Sequence, residues 1–297
     1  MNFTDINLDL QSVAKRTYEN IYYESTFMNF LNDSFMQVAR QTGTPIIEVI
    51  RQIAPTINKR DGVEIKTKLD PTTTTYDPVK VDLTELPLDY SFKISPVMIG
   101  VSIEGTIDGE MRLRDSEIAS EIDEYGYGKL NETITGKADG AEAYTKGQVI
   151  AWAPTDQDGY ITQLNTLKMT LFNRNIKSGY MLGLEAIEYG KFVSSLTSIL
   201  KYETRAGVEG VDRGIVGNAF GVDTFPINTN VLGTGIAGYF ANKVGCVGDM
   251  FFNQFTQWPG NYPGYPGYFV VEGNIMFGAE VVRPEAIIKL TSSSPSV

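Results

Sequence analysis

Two glycine-marked apolar stretches constrain this chain more than any other feature in it. The first runs from Gly207 to Val231, with glycines at 207, 210, 214, 217 and 221. Glycine takes positive φ without steric penalty, so the chain is free to change direction between Gly217 and Gly221. Beyond Gly221 the pattern is that of a strand. Phe225, Ile227 and Val231 fall on one phase, and polar residues fill much of the other. The second stretch, Phe277–Leu290, reads as a strand, a break at Pro284, and a short apolar strand that ends the domain.

The rest of the chain mixes helical and strand periods. In residues 7–22, Leu10, Val13, Ala14, Tyr18, Ile21 and Tyr22 keep the three- and four-residue spacing of one helix face. A second helix is predicted from about Ser25, striped by Phe27, Phe30, Leu31, Phe35 and Val38. Residues 44–54 fit either class: the β-branched residues favour strand, the spacing favours helix, and Pro55 ends it. Residues 62–103 alternate as β around a Thr-rich run at 72–75, the pattern of a long two-stranded excursion. Such a ribbon is marginal on its own. It is either an edge hairpin folded back on its own domain or a ribbon supported by another subunit.

Residues 110–135 predict a long acidic helix with Ile118, Ile122, Tyr125, Leu130 and Ile134 as its buried stripe. Gly126 and Gly128 each cost about 1 kcal/mol against alanine there, which predicts a kink or a split. A helix over 163–176, a buried strand at 181–184 and a helix over 185–200 follow. In residues 257–268, three Pro-Gly pairs alternate with aromatic side chains and predict a rigid surface loop.

The chemistry open to the chain is narrow. It has no histidine, which excludes Ser-His-Asp and Cys-His catalysis and most zinc sites. Its one cysteine, Cys246, permits no internal disulfide and reads as a small buried hydrophobe beside Gly245 and Val247. The carboxylates at 115, 117, 121, 123 and 124 point around a helix rather than at one ion, so a solvated or charge-paired face is expected. Asp156–Gly159 matches part of a calcium loop but lacks the downstream glutamate pattern. The glycines at 233, 235 and 238 lack the strand-to-helix context of a dinucleotide fingerprint, and there is no Walker sequence. No catalytic, cofactor-binding or metal-binding residue is assigned, and no enzyme is expected.

Net charge is 25 − 36 = −11, and residues 104–142 alone carry eleven carboxylates against four Lys or Arg. A broad basic face for nucleic acid is thereby excluded. No basic region followed by an apolar run opens the chain, and no segment reaches the roughly 20 apolar residues of a membrane helix. A soluble product made in the cytoplasm is expected.

Three segments, in order, carry a resemblance to a known family. Glu121-Ile122-Asp123-Glu124-Tyr125-Gly126-Tyr127 is similar to a "Glu-Ile-Asp-x-Tyr-Arg" segment. Gly221-Val222-Asp223-Thr224-Phe225, with Asn228-Thr229-Asn230, is similar to a "Gly-Phe-Asp-Val…Asn-Asn" strand. Phe277–Ala286 is similar to a "Tyr-Gly-Ala-x-Val-x-Arg-Pro-Glu-Ala" strand. Together they resemble tailed-phage major capsid proteins of the Hong Kong 97-type fold, the first segment in the form found in phages of Gram-positive hosts. The departures are Gly126 and Gly128 within the helix, and Val222 where the family often has Phe.

The resemblance implies an α+β fold with an N-terminal arm over 1–62 and an extended β loop over 63–103. It implies a peripheral domain with a long spine helix over 104–140 and 270–297, and an axial domain over 141–269. It implies a structural subunit that self-assembles as pentamers and hexamers into an icosahedral or prolate head shell. That shell would enclose double-stranded DNA in the virion without sequence-specific binding, with a separate scaffolding protein and a portal as partners. Under the resemblance the arm and the loop reach neighbouring subunits. Some family members crosslink a lysine of the extended loop to an asparagine. Lys66, Lys68 and Lys80 lie in that region, but no motif identifies a partner, and the chemistry is not carried over. Two other readings stand beside this one: an encapsulin-like nanocompartment shell of the same fold, and a carbohydrate-binding or adhesin module built on the aromatic loop, with Tyr262 and Tyr265 as its stacking residues.

Overall fold

The structure, a computed structural model, describes residues 10–32, 46–52, 76–95, 103–136, 146–196 and 217–292. Helix α1 (Leu10–Glu24) leads through a single 3-10 turn (Phe27–Phe30) into the short strand β1 (Leu31–Asn32). Strands β2 (Ile46–Gln52), β3 (Tyr76–Asp82) and β4 (Leu86–Ile94) precede the long helix α2 (Ile103–Thr133). Next come β5 (Gln148–Trp152), α3 (Gln157–Asn173), β6 (Tyr180–Glu185) and α4 (Ala186–Leu196). The chain closes with β7 (Gly217–Ala219), β8 (Val222–Ile227), β9 (Ile236–Asn242), β10 (Cys246–Tyr262), β11 (Tyr265–Val281) and β12 (Ile287–Ser292).

These strands form three sheets. A four-stranded sheet has the order β1-β10-β11-β4, a six-stranded sheet the order β5-β12-β9-β6-β8-β7, and β2 pairs with β3 alone. One core lies among α1, α2, the four-stranded sheet and one side of the six-stranded sheet, through Met181, Phe225, Ile227, Tyr239 and Ile287. The opposite side of that sheet carries Leu182, Leu184, Phe240 and Ile288 against Leu164, Leu167 and Leu171 of α3 and Phe192 of α4. Both faces of the central strands are therefore covered, which is why β9 is buried along its whole length and β6 nearly so. Val49 and Val81 seat the β2–β3 ribbon on Val247 and Val282, at the base of the long hairpin.

The glycine-led strand and the closing strand are where the sequence puts them. Phe220 (φ 54°) and Gly221 (φ 77°) form the tight turn between β7 and β8. Val281 ends β11, Pro284–Ala286 make a 3-10 turn, and β12 runs antiparallel to β9 and parallel to β5. Gly278 of the closing motif is required by space: a Cβ there would lie 1.9 Å from the Asp82 carbonyl oxygen.

Four expectations are corrected. The helix predicted from Ser25 is one 3-10 turn; Leu31 then turns extended (φ −80°, ψ 142°) and pairs in parallel with Cys246. Residues 35 and 38 of its stripe lie outside the described residues. The long helix neither kinks into two nor stops at its glycines; α2 runs unbroken for 31 residues. The ambiguous 46–52 segment is a strand and pairs with β3; residues 53–75, with the Thr-rich run, lie outside the described residues. The aromatic Pro-Gly segment is not a loop but the end of the β10–β11 hairpin, with Tyr262 paired to Tyr265 around Pro263-Gly264. Ladder pairing continues through it because Gly260, Gly264 and Gly267 take positive φ and absorb the irregularity between Pro259 and Asn261. The helix predicted over 185–200 is observed over Ala186–Leu196, and residues 197–200 lie outside the described residues.

Candidate functional site

The described residues contain no cluster of His, Cys, Asp or Glu able to hold a metal ion, and no helix among them is long and apolar enough to cross a membrane. Asp156, read against a calcium loop, is the N-cap of α3 and accepts from Gly159 N at 2.8 Å. Cys246 is buried, and burial, with Glu280 nearby, pushes its thiol far above the ordinary range, so it is chemically quiet. What the molecule offers is surfaces.

The first is the seam between α1 and α2, made by three aspartates of α2. Arg16 Nη1 donates to Asp108 Oδ1 at 2.9 Å, and Asn20 Nδ2 donates to Asp115 Oδ2 at 2.7 Å. Asp123 accepts at both oxygens: Ser25 Oγ (2.5 Å) and Phe27 N (2.9 Å) on one, Thr26 N (3.1 Å) and Thr26 Oγ1 (2.8 Å) on the other. Asp123 thus ends α1 and starts the 3-10 turn. Burial raises its proton affinity, and these four donors work against that. Asp115 is fully buried, and desolvation, opposed by Asn20, lifts its carboxyl to about 6. The sequence singled out both aspartates only as members of a weak metal set. A better signal was present: Asp115, Ile118 and Ile122 share one helical spacing, and Asp123, Tyr127, Leu130 and Ile134 share another. An acid on an apolar stripe must be buried, and therefore needs donors.

The second surface is the far end of the β10–β11 hairpin. Tyr262 and Tyr265 stack with centroids 6.2 Å apart, and Lys93 Nζ sits 4.1 Å from the Tyr265 ring centre. Trp258 Nε1 donates to Glu272 Oε1 at 2.8 Å. The rings pack on one another and on Lys93, which gives the ribbon a small core of its own.

The third surface lies at the end of the six-stranded sheet where β6 and β8 begin. Met169, Phe172 and Phe220 are 57%, 47% and 44% exposed there, beside Lys168 and Lys177. Exposed large apolar side chains grouped this way mark a contact surface. Of the lysines considered for crosslinking, Lys80 is exposed on β3 opposite Glu48, and Lys66 and Lys68 lie outside the described residues.

No protein-family profile matches this chain, and no curated protein matches it. Solved structures do. A structure of Mycobacterium phage Che8 aligns over 89% of this chain and 90% of its own, with a TM-score of 0.58 and 15% identity. The capsid of cyanophage P-SCSP1u aligns over 85% and 84%, with a TM-score of 0.57 and 12% identity. The capsid of an empty GTA particle aligns over 86% and 89%, with a TM-score of 0.56 and 14% identity. The chain has the α+β Hong Kong 97-type capsid fold. At such low identity the likeness resides in the path of the backbone and not in side chains. In this chain α2 is the longest helix among the described residues, and β10–β11 is a long hairpin whose β11 strand packs beside it.

Proposed function

We propose that this chain is a major capsid protein, a structural and non-enzymatic subunit that self-assembles into the shell of a tailed phage. The observation that carries the reading is the likeness to phage capsid structures over 85–89% of this chain and 84–90% of theirs. The exposed apolar groups on the six-stranded sheet suit a subunit with many neighbours. The charge of −11 suits a shell that encloses double-stranded DNA without adhering to it. In this reading the protein resides in the virion, in pentamers and hexamers, and its partners are a scaffolding protein and a portal.

The sequence-based division into arm, loop, peripheral and axial parts is kept in this proposal with its bounds moved. The extended loop becomes the β2–β3 ribbon and the residues between its strands. Strands β4 and β10 join the peripheral part through their pairing with β11, and β12 joins the axial part through β5 and β9. The similar structures come from phages of hosts as different as Mycobacterium and Ralstonia, so the Gram-positive host type rests on the Glu121–Tyr127 segment alone.

Negative-stain electron microscopy and size-exclusion chromatography of the purified chain, with and without a candidate scaffolding protein, test the function. Closed particles, tubes or capsomer rings are expected. A chain that stays monomeric in every condition would overturn the reading.

A further inference from the structure

Among the described residues, the nine large apolar side chains that are most exposed include three at one place: Met169, Phe172 and Phe220. They frame a groove of about 320 Å³ with Lys168, Lys177 and Gly221. The groove is held in shape. Lys168 Nζ donates to the Phe220 carbonyl at 2.7 Å, and Lys177 Nζ lies 5.7 Å from the Phe172 ring centre. Phe220 reaches this position at a backbone cost. Its φ of 54° lies in the left-handed region, which asparagine and glycine fill more easily than a bulky residue does. A strained backbone that presents an exposed aromatic ring beside two cations is a surface shaped for a partner.

The charge of the groove selects the partner. It calls for an apolar side chain flanked by carboxylates. Leu113 stands between Arg112 and Arg114, Val244 follows Lys243, and Tyr265 lies under Lys93, so these are mismatched. On the six-stranded sheet and its helices, Ile187 has the required setting. It is 62% exposed at the first turn of α4, with Glu185 two residues before it and Glu188 beside it held by Lys191 at 2.6 Å, so Glu185 is the carboxylate left to meet the groove lysines. Glu185 and Ile187 lie at the end of β6 and just past it, while Lys177 and Tyr180 lie just before β6 and at its start. A six-residue strand separates the two sites by about 17 Å, so one molecule cannot join its own knob to its own groove.

We propose that the Ile187 corner of one copy of this chain seats in the Met169–Phe172–Phe220 groove of the next. The contact joins two different surfaces, so it is heterologous and propagates head to tail around a ring. It rests on the shell reading and specifies which faces of the six-stranded sheet meet.

Complementary knock-outs test it. A groove variant carries Phe172→Glu and Lys177→Glu; a knob variant carries Glu185→Lys and Ile187→Lys. All four positions are partly or fully exposed, and circular dichroism with thermal melting checks that both variants fold. By analytical ultracentrifugation each variant alone is expected to stay monomeric at concentrations at least about tenfold above those at which wild type forms rings. Mixed one to one, they keep one native knob–groove pair and are expected to associate at concentrations at which neither variant does so alone. Ring formation by either variant alone, at wild-type concentration, overturns the inference and leaves the shell reading standing. Two monomeric variants that do not pair when mixed overturn it as well, because the two faces then meet something other than each other. A wild-type chain that never assembles removes both readings at once.

Discussion

Gly126 and Gly128 sit two residues apart in one helix and serve opposite ends. A Cβ on Gly126 would fall 2.2 Å from Phe27 Cδ1, against the ring that meets Tyr127 and Phe277 edge to face. A Cβ on Gly128 would meet nothing within 4 Å. Gly126→Ala is therefore expected to destabilise the protein by about 2 kcal/mol through overpacking. Gly128→Ala is expected to stabilise it by up to about 1 kcal/mol through helix propensity. Urea denaturation of the two variants checks both signs; equal effects would mean that Phe27 does not press on the helix at Gly126. The sequence showed both glycines as helix weakeners of one kind, because their difference lies in a residue about a hundred positions away.

At the scale of elements, α1 docks on α2 through acids, and that docking titrates. Asp115 is faced by Arg16, Asn20 and Glu24 of α1 and by Tyr90 of β4, and Arg114 acts on Tyr90 from the same helix. Thr17 Oγ1, Tyr90 OH and Asp115 Oδ1 are buried together without well-formed hydrogen bonds, with Tyr90 close to both Thr17 and Asp115. A proton on Asp115 would remove the desolvated charge and provide a donor to this polar group. The folded-state value of about 6 lies above the ordinary carboxylate value, so between pH 4 and 6 the folded protein holds the extra proton. This group's contribution is fully present below pH 4 and is lost as pH rises through 6, on the order of 3 kcal/mol in all. Asp123 acts in the same direction. Glu85, held low by Lys129 and Tyr125 against its own desolvation, acts in the opposite one. The difference between wild type and Asp115→Asn isolates the residue. Thermal melting from pH 4 to 7 is expected to show wild type losing stability relative to the variant as pH rises; a difference that does not change with pH would refute this.

Across the whole molecule, the long helix ties the two larger sheets together. Lys129 reaches Glu85 at 2.7 Å and Glu280 at 3.5 Å on the side of the four-stranded sheet. Two residues later, Asn131 Oδ1 accepts from Lys289 Nζ of β12, in the six-stranded sheet, at 2.7 Å. Burial lowers the proton affinity of Lys289, so its ammonium depends on that acceptor. Asn131→Ala is expected to cost about 1–2 kcal/mol. It is also expected to speed amide hydrogen exchange in β12 and β5 more than in β4. Uniform exchange changes would show that the bond does not couple the sheets.

Local periodicity determined most of the elements: α1, α2, α3, α4, the glycine-led β8 and the Pro-broken β11–β12 are all visible as spacing in the chain, because each needs only its own neighbours to reveal an apolar face. Resemblance of short motifs pointed to the fold, and the absence of histidine narrowed the chemistry. Long-range contact settled the rest. Phe27–Phe30 becomes a 3-10 turn because Asp123 holds the amides of Thr26 and Phe27. Residues 46–52 become a strand because β3 lies beside them, and the Pro-Gly segment becomes a hairpin because Tyr262 and Tyr265 pair across its turn. The groove on the six-stranded sheet is assembled from residues some fifty positions apart, brought together when β6 pairs with β8. A surface of that kind has no periodicity in the sequence, since its parts become neighbours only once the sheet has formed.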